Sequence, residues 1–246
     1  MIRIILFLSF LLPLFGAEVN APPIPVVDLT INTPETPTQL VKSLNILILI
    51  TLLVLAPSII LVMTSFVRLL VVFSFLRQAM GTQQLPPSQL LVSLALVLTF
   101  FIMEPYAKIA YKNGIEPYMN EQIGYQEAFE KSVKPFKNFM IKNTREKDLA
   151  LFYRIRKIEN PKTIDDVPLS ILVPAFMISE LKTAFEIGFL IYLPFLIIDM
   201  VVSAILMSLG MMMLPPVMIS LPFKLLVFVL VDGWNLLIQS LVASFK

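Results

Sequence analysis

Between Lys42 and Arg68 the chain runs for 25 residues without a charge, and between Arg77 and Glu104 for another 26. From Glu186 to Lys224 the only charge is Asp199. About 20 apolar residues are enough for a helix to cross a bilayer core, so each of these runs can span one. They predict an all-α integral membrane protein, with a hydrophobic helical pair over residues 42–103 and a hydrophobic hairpin over 168–246. The overall balance agrees: 57% of the residues are hydrophobic and 15% charged, against roughly 45–50% and about 25% in soluble proteins. Seven prolines interrupt the apolar parts (Pro57, Pro105, Pro174, Pro194, Pro215, Pro216 and Pro222). Helices interrupted in this way suit kinked packing around a lumen better than a straight lipid-facing bundle.

The charge missing from these runs is concentrated elsewhere. Residues 104–166 hold 22 of the 36 charged side chains, which marks residues 104–167 as a small helical domain outside the membrane. Gly114 and Pro117 punctuate its start, Asn120 and Thr144 read as helix N-caps, 145–158 has helical spacing, and Pro161 ends the last helix. So short a segment builds little core alone, so Phe129, Phe136, Phe139 and Phe152 are expected to pack on neighbouring copies, on the membrane helices, or within the segment. At the other end, Arg3, a 12-residue apolar run and Gly16-Ala17 read as a secretory signal over residues 1–21, with a short anchoring helix as the alternative. Residues 22–41 are a proline-rich tether. Arg68 and Arg77 flank the loop between the first two apolar runs, which places that loop in the cytoplasm and the charged domain outside.

Composition also removes whole classes of chemistry. Histidine and cysteine are both absent, so thiol nucleophiles, disulfides, serine–histidine triads and His/Cys metal or haem sites are excluded. A net charge of +2 leaves no nucleic-acid footprint, and no phosphate-binding glycine loop is present. An intramembrane aspartyl protease needs two carboxylates, and only Asp199 is well placed. The chain reads as a non-enzyme without cofactor or metal.

The late hairpin carries the features that a plain anchor does not explain. A carboxylate within an apolar run costs about 2.5–3.5 kcal/mol on insertion scales, so Asp199 needs a partner or water. The next charge along the chain is Lys224, and the midpoint between them falls at Met211 and Met212, beside Gly210 and before Pro215-Pro216. A reversal there brings Asp199 and Lys224 to one depth, paired within a chain or between neighbours, or else each facing a wet lumen. Five methionines stand within residues 207–218. Methionine fills irregular gaps, but three in a row cannot all face one core. An uncharged tip of this kind is best explained as enclosed by other subunits, where a ring of tips forms a deformable constriction. Glu180, Lys182 and Glu186 read by default as a solvated helix face, with Lys182 and Glu186 at i,i+4.

These motifs resemble the FliP family of type III secretion export-gate proteins. The likeness is carried by Pro174-Ala175-Phe176, Ser179-Glu180-Leu181 and 184–188, then by Pro222, Lys224 and Gly233-Trp234. It is also carried by Arg68, Leu76-Arg77, Gly81-Thr82-Gln83 and Pro86-Pro87-Ser88-Gln89. The resemblance implies a pore-forming gate subunit of the flagellar export apparatus in the bacterial inner membrane at the basal body. It implies a ring of copies, a pentamer, with FliQ and FliR as gate subunits, FlhA and FlhB as partners, and unfolded flagellar proteins as cargo. It places a methionine gasket at Met211, Met212 and Met213, and important charges at Glu180, Asp199, Lys224 and Arg145. The long N-terminal region favours the flagellar over the virulence branch. A proton-coupled transporter with Asp199 and Lys224 as relay is the other reading.

Overall fold

The structure is a computed structural model that describes residues 37–82, 86–158, 161, 163, 166–211 and 214–245. The signal read over 1–21 and most of the tether lie outside the described residues. The chain divides into two compact units, Met1–Ile50 and Thr51–Lys246. The first contributes the front of helix α1 (Pro37–Val62), whose remainder belongs to the second.

Regular structure among the described residues is helical throughout, as the apolar runs predict. After α1 come α2 (Phe66–Ala79) and α3 (Ser88–Ala110), which continues through a π-helical turn (Tyr111–Ile115) into α4 (Glu116–Met119). Helices α5 (Tyr125–Asn143) and α6 (Glu146–Arg156) precede the 40-residue α7 (Leu169–Ser208), and α8 (Pro216–Leu230) and α9 (Gly233–Ala243) close the chain. Among the described residues, three helices are long and apolar enough to cross a membrane: Ser43–Val62, Ser88–Met119 and Leu169–Ser208. A fourth crossing results if α8 and α9, bent by 65°, count as one span. Only 11% of the apolar window of α7 is buried within the chain, so the rest of that surface needs lipid or another chain.

The loop expected between the first two apolar runs is instead α2, the most deeply buried helix. Leu69, Val72, Phe73, Leu76 and Ala79 recur at helical spacing and are at most 1% exposed. They meet Ala184 and Phe195 of α7, Leu91 and Ala95 of α3, Phe228 of α8, and Leu237 and Leu241 of α9 in one cluster. Arg68 lies on this buried helix and not in a loop, while Arg77, in its last turn, donates from Nη1 to Ser88 Oγ at 2.7 Å. The close approach of α7 to α2 depends on Gly188. A Cβ there would lie 2.5 Å from Phe75 Cδ2 and 3.0 Å from Phe75 Cβ. Gly188→Ala is therefore expected to cost about 1–3 kcal/mol through overpacking, read as a lower unfolding midpoint of the purified chain in detergent.

Within the charged segment the helix limits and caps differ from those expected. Glu104 and Lys108 form an exposed i,i+4 pair at 2.6 Å inside α3, and the helix runs on to Met119, past Gly114 and Pro117. Charge at these positions does not stop a helix, because long side chains carry it to the surface. Asn120 and Thr144 are C-caps, not N-caps. The Thr144 hydroxyl donates back to Met140 O at 2.7 Å, and Gly124 and Arg145 take the N-cap positions. Helix α6 ends at Arg156, before Pro161, through Lys157 in the left-handed region (φ 55°). Ile158 N–H donates to Tyr153 O and Lys157 N–H to Arg154 O, a Schellman closure. Phe139 is fully buried within the chain, its ring 5.1 Å from Tyr106, 5.9 Å from Phe176 and 6.0 Å from Phe245. Phe129 remains exposed beside Tyr125.

Candidate functional site

The α7–α8 hairpin reverses where the spacing of its charges predicts. At the end of α7, Met211 N–H donates to Leu206 O at 3.0 Å and Gly210 N–H to Met207 O at 3.1 Å. This Schellman pair requires a left-handed residue at position 210. Gly210 has φ +74°, a conformation that costs a residue with a Cβ about 1–2 kcal/mol. On the far side Pro215 is the N-cap of α8 and Pro216 its first residue, a position where the missing N–H loses nothing. The tip between them carries no charge and holds Leu209, Met211 and Leu214 exposed, with Met207 and Met218 exposed on the flanking turns. Met212 and Met213 lie outside the described residues.

Below the tip, Asp199 and Lys224 meet within one chain. Lys224 Nζ donates to Asp199 Oδ2 at 2.6 Å and to Ala79 O at 3.1 Å, while Ser220 Oγ donates to Asp199 Oδ1 at 2.5 Å. The Lys224 side chain is 3% exposed and that of Asp199 30%. Ala79 ends α2, where carbonyls lack helical partners and a cation is favoured. The ammonium thus ties three helices together, α7, α8 and the C-terminus of α2.

A second buried pair fixes the other end of α2. Arg68 is 2% exposed and Glu180 0%, so Glu180 does not belong to a solvated face. Arg68 Nε donates to Glu180 Oε2 at 2.8 Å and Nη2 donates to Glu180 Oε1, the bidentate geometry that suits a guanidinium to a carboxylate. Nη1 donates to Ser244 O at 3.0 Å and Ser244 Oγ at 2.9 Å, and Nη2 to Asn143 Oδ1 at 3.5 Å. The guanidinium carbon stands 3.9 Å from the centre of the Phe245 ring. Helices α2, α5 and α7 and the chain end after α9 therefore converge on one arginine.

Arg145 lies farther out. Its Nη2 donates to Glu186 Oε2 at 2.6 Å and to Thr183 Oγ1 at 3.3 Å. Glu186 takes Arg145 as its hydrogen-bond partner, and Lys182 acts on it only as a nearby charge. The Arg145 backbone N–H donates to Ser179 Oγ at 3.0 Å, and that hydroxyl donates to Asp148 Oδ2 at 2.7 Å, which docks α6 on α7. Residue-by-residue reading missed Arg68 as the partner of Glu180, and it missed Ser220, Ser179 and Asp148. A signal for Glu180 was present: Leu172, Phe176, Ala184 and Gly188 are apolar at steps of four around it, and all are buried. A carboxylate in that stripe demands a cation.

Among the described residues no three His, Cys, Asp or Glu side chains gather where they could hold a metal ion. The arrangement is one fully buried and one partly buried charge pair bracing an apolar hairpin whose tip exposes Met211.

Comparison with known proteins places this arrangement. The model of the FliP family matches residues 49–241, a stretch that contains both charge pairs and the tip. The Bacillus subtilis (strain 168) protein named flagellar biosynthetic protein FliP is 52% identical over 217 residues, 88% of this chain and 98% of that relative. A Caulobacter vibrioides protein of the same name is 56% identical over 198 residues, covering 80% and 74%. Its Aquifex aeolicus namesake is 50% identical over 210 residues, covering 85% and 88%. With the family model matched over most of its length and at least half of the aligned residues identical in these relatives, the chain belongs to the FliP family.

Proposed function

We propose that the chain is a pore-forming subunit of the export gate of the flagellar type III secretion apparatus. In this reading several copies, a pentamer, form a ring with FliQ and FliR, and FlhA and FlhB deliver unfolded flagellar proteins to it. The ring belongs to the bacterial inner membrane at the basal body, with the charged middle segment on the periplasmic side. Met211, Met212 and Met213 close the lumen. The flagellar biosynthetic name carried by the relatives favours the flagellar branch over the virulence one.

The observation that carries the proposal is the exposed, uncharged methionine tip at a turn built by Gly210 and Pro215-Pro216. Exposed apolar groups at a fixed turn are unfavourable in water and favourable against one another, and unbranched thioether chains close around whatever passes. A ring of such tips stays shut to ions when empty and yields to an unfolded chain. Replacing Met211, Met212 and Met213 together by alanine leaves a wider closed aperture. The expected result is a raised ion leak through membranes containing the assembled complex, measured as conductance across a planar bilayer. Unchanged conductance with the complex intact would refute the gasket.

A further inference from the structure

Helix α9 lies back on the core because the chain bends by 65° between α8 and α9. The bend is made at Asp232, which adopts φ 52° and ψ 51° and makes no side-chain bond to the helix that it caps. A left-handed conformation is unfavourable for a residue with a Cβ, so this turn is strained. Gly233 follows it with the Phe228 ring against its backbone, where a Cβ would lie 2.4 Å from Phe228 Cδ2.

Beyond the turn, α9 is held unevenly. Leu237 and Leu241 are buried in the cluster around α2. Beside them an apolar cleft of about 550 Å³ lies between α7 and α9, with Ile187, Ile191 and Pro194 on one wall and Leu236 and Ser240 on the other. Walls that do not touch gain no dispersion energy. The residues after α9 are held by stronger contacts. Ser244 O and Ser244 Oγ accept from Arg68 Nη1 at 3.0 and 2.9 Å. The Phe245 ring lies 3.9 Å from the guanidinium carbon and stacks 6.0 Å from Phe139, a cation–π contact joined to an aromatic pair. Phe245 packs against both core clusters.

We propose that α9 is a hinged strap. It turns about residues 231–233, is latched on Arg68 by Ser244 and Phe245, and swings off α7 when the latch is released. Opening relieves the turn at Asp232 and uncovers the buried face of α9. The latch holds that face down. Because Lys224 stands on α8 and the latch sits on the Arg68–Glu180 pair, the strap also links the two charge pairs of the molecule. The inference is independent of the pore reading.

The test exploits the absence of cysteine. In the full chain in mild detergent, two single thiols are timed against a water-soluble maleimide. Leu241→Cys lies on the buried face of the strap, and Ala95→Cys is buried on α3, away from it. Modification through local opening proceeds in proportion to the open population. Adding Phe245→Ala should speed the reaction at position 241 about tenfold, the equivalent of about 1.4 kcal/mol, and leave position 95 unchanged. Asp232→Val disfavours the left-handed turn without touching the latch, and should speed position 241 in the same way. Asp232→Gly tolerates that turn and should not. An unchanged rate at position 241 in Phe245→Ala would overturn the proposal. Equal acceleration at positions 95 and 241 would also overturn it, since the whole fold and not the strap would then be opening. So would equal acceleration by Asp232→Gly and Asp232→Val, which would remove the hinge.

Discussion

Arg68→Ala is expected to lower folding stability by about 3–5 kcal/mol, because it strands a carboxylate that has no access to water. Glu180 is 0% exposed, and Arg68 supplies both of its charged hydrogen bonds. The same substitution removes the donors to Ser244 and Asn143, so the chain end loses its anchor to α2 as well. Arg68→Lys keeps the charge but replaces a planar fork by a point cation, and should recover only part of the loss. The double replacement Arg68→Met/Glu180→Leu should be far milder than either single truncation, since well-packed apolar pairs often replace buried ion pairs at little cost. Unfolding midpoints of the purified variants in detergent measure this order. An Arg68→Ala protein as stable as the parent would disprove the brace. The double variant serves a second purpose. If it folds and assembles but does not export, the charges contribute something beyond stability.

The helical class and the hairpin were legible in the sequence because they are local. An apolar run declares its own helix, and Gly210 with Pro215-Pro216 declares a reversal. Asp199 and Lys224 follow from these, since two residues equidistant from a turn on antiparallel helices share a depth. Arg68 and Glu180 stand 112 positions apart, and nothing local connects them. Helix α2 hid for a related reason. It is short, only three residues separate it from α1, and its Arg68 and Arg77 look like the borders of a loop. Only packing on α3, α7, α8 and α9 shows that a 14-residue helix can supply the heart of one core cluster. Helix α3 runs on past Glu104 because charge density is a poor guide to where a helix stops when i,i+4 pairs satisfy the charges on its surface. The same limit applies to Thr144, whose hydroxyl finds a carbonyl behind it instead of an N–H ahead.

Asp199→Ala is expected to be more damaging than Lys224→Met, although the two remove the same ion pair. What matters is the ion left behind. Without Asp199, an ammonium with 3% side-chain exposure keeps only the Ala79 carbonyl, and an uncompensated buried charge costs about 3–5 kcal/mol. Without Lys224, the remaining carboxylate is 30% exposed and still accepts the Ser220 hydroxyl, so it retains water and a donor. Exchanging the pair, as Asp199→Lys/Lys224→Asp, restores attraction but turns a carboxylate toward the Ala79 carbonyl at the negative end of α2. The exchange should therefore recover only part of the stability and part of the export. Unfolding midpoints and secretion of flagellar proteins into the medium should both rank Lys224→Met above the exchange and Asp199→Ala last. A Lys224→Met protein less stable than Asp199→Ala would show that the lysine acts mainly as the cap of α2. The carboxylate would then be a bystander, and the coupling of the hairpin to α2 would have to run through packing alone.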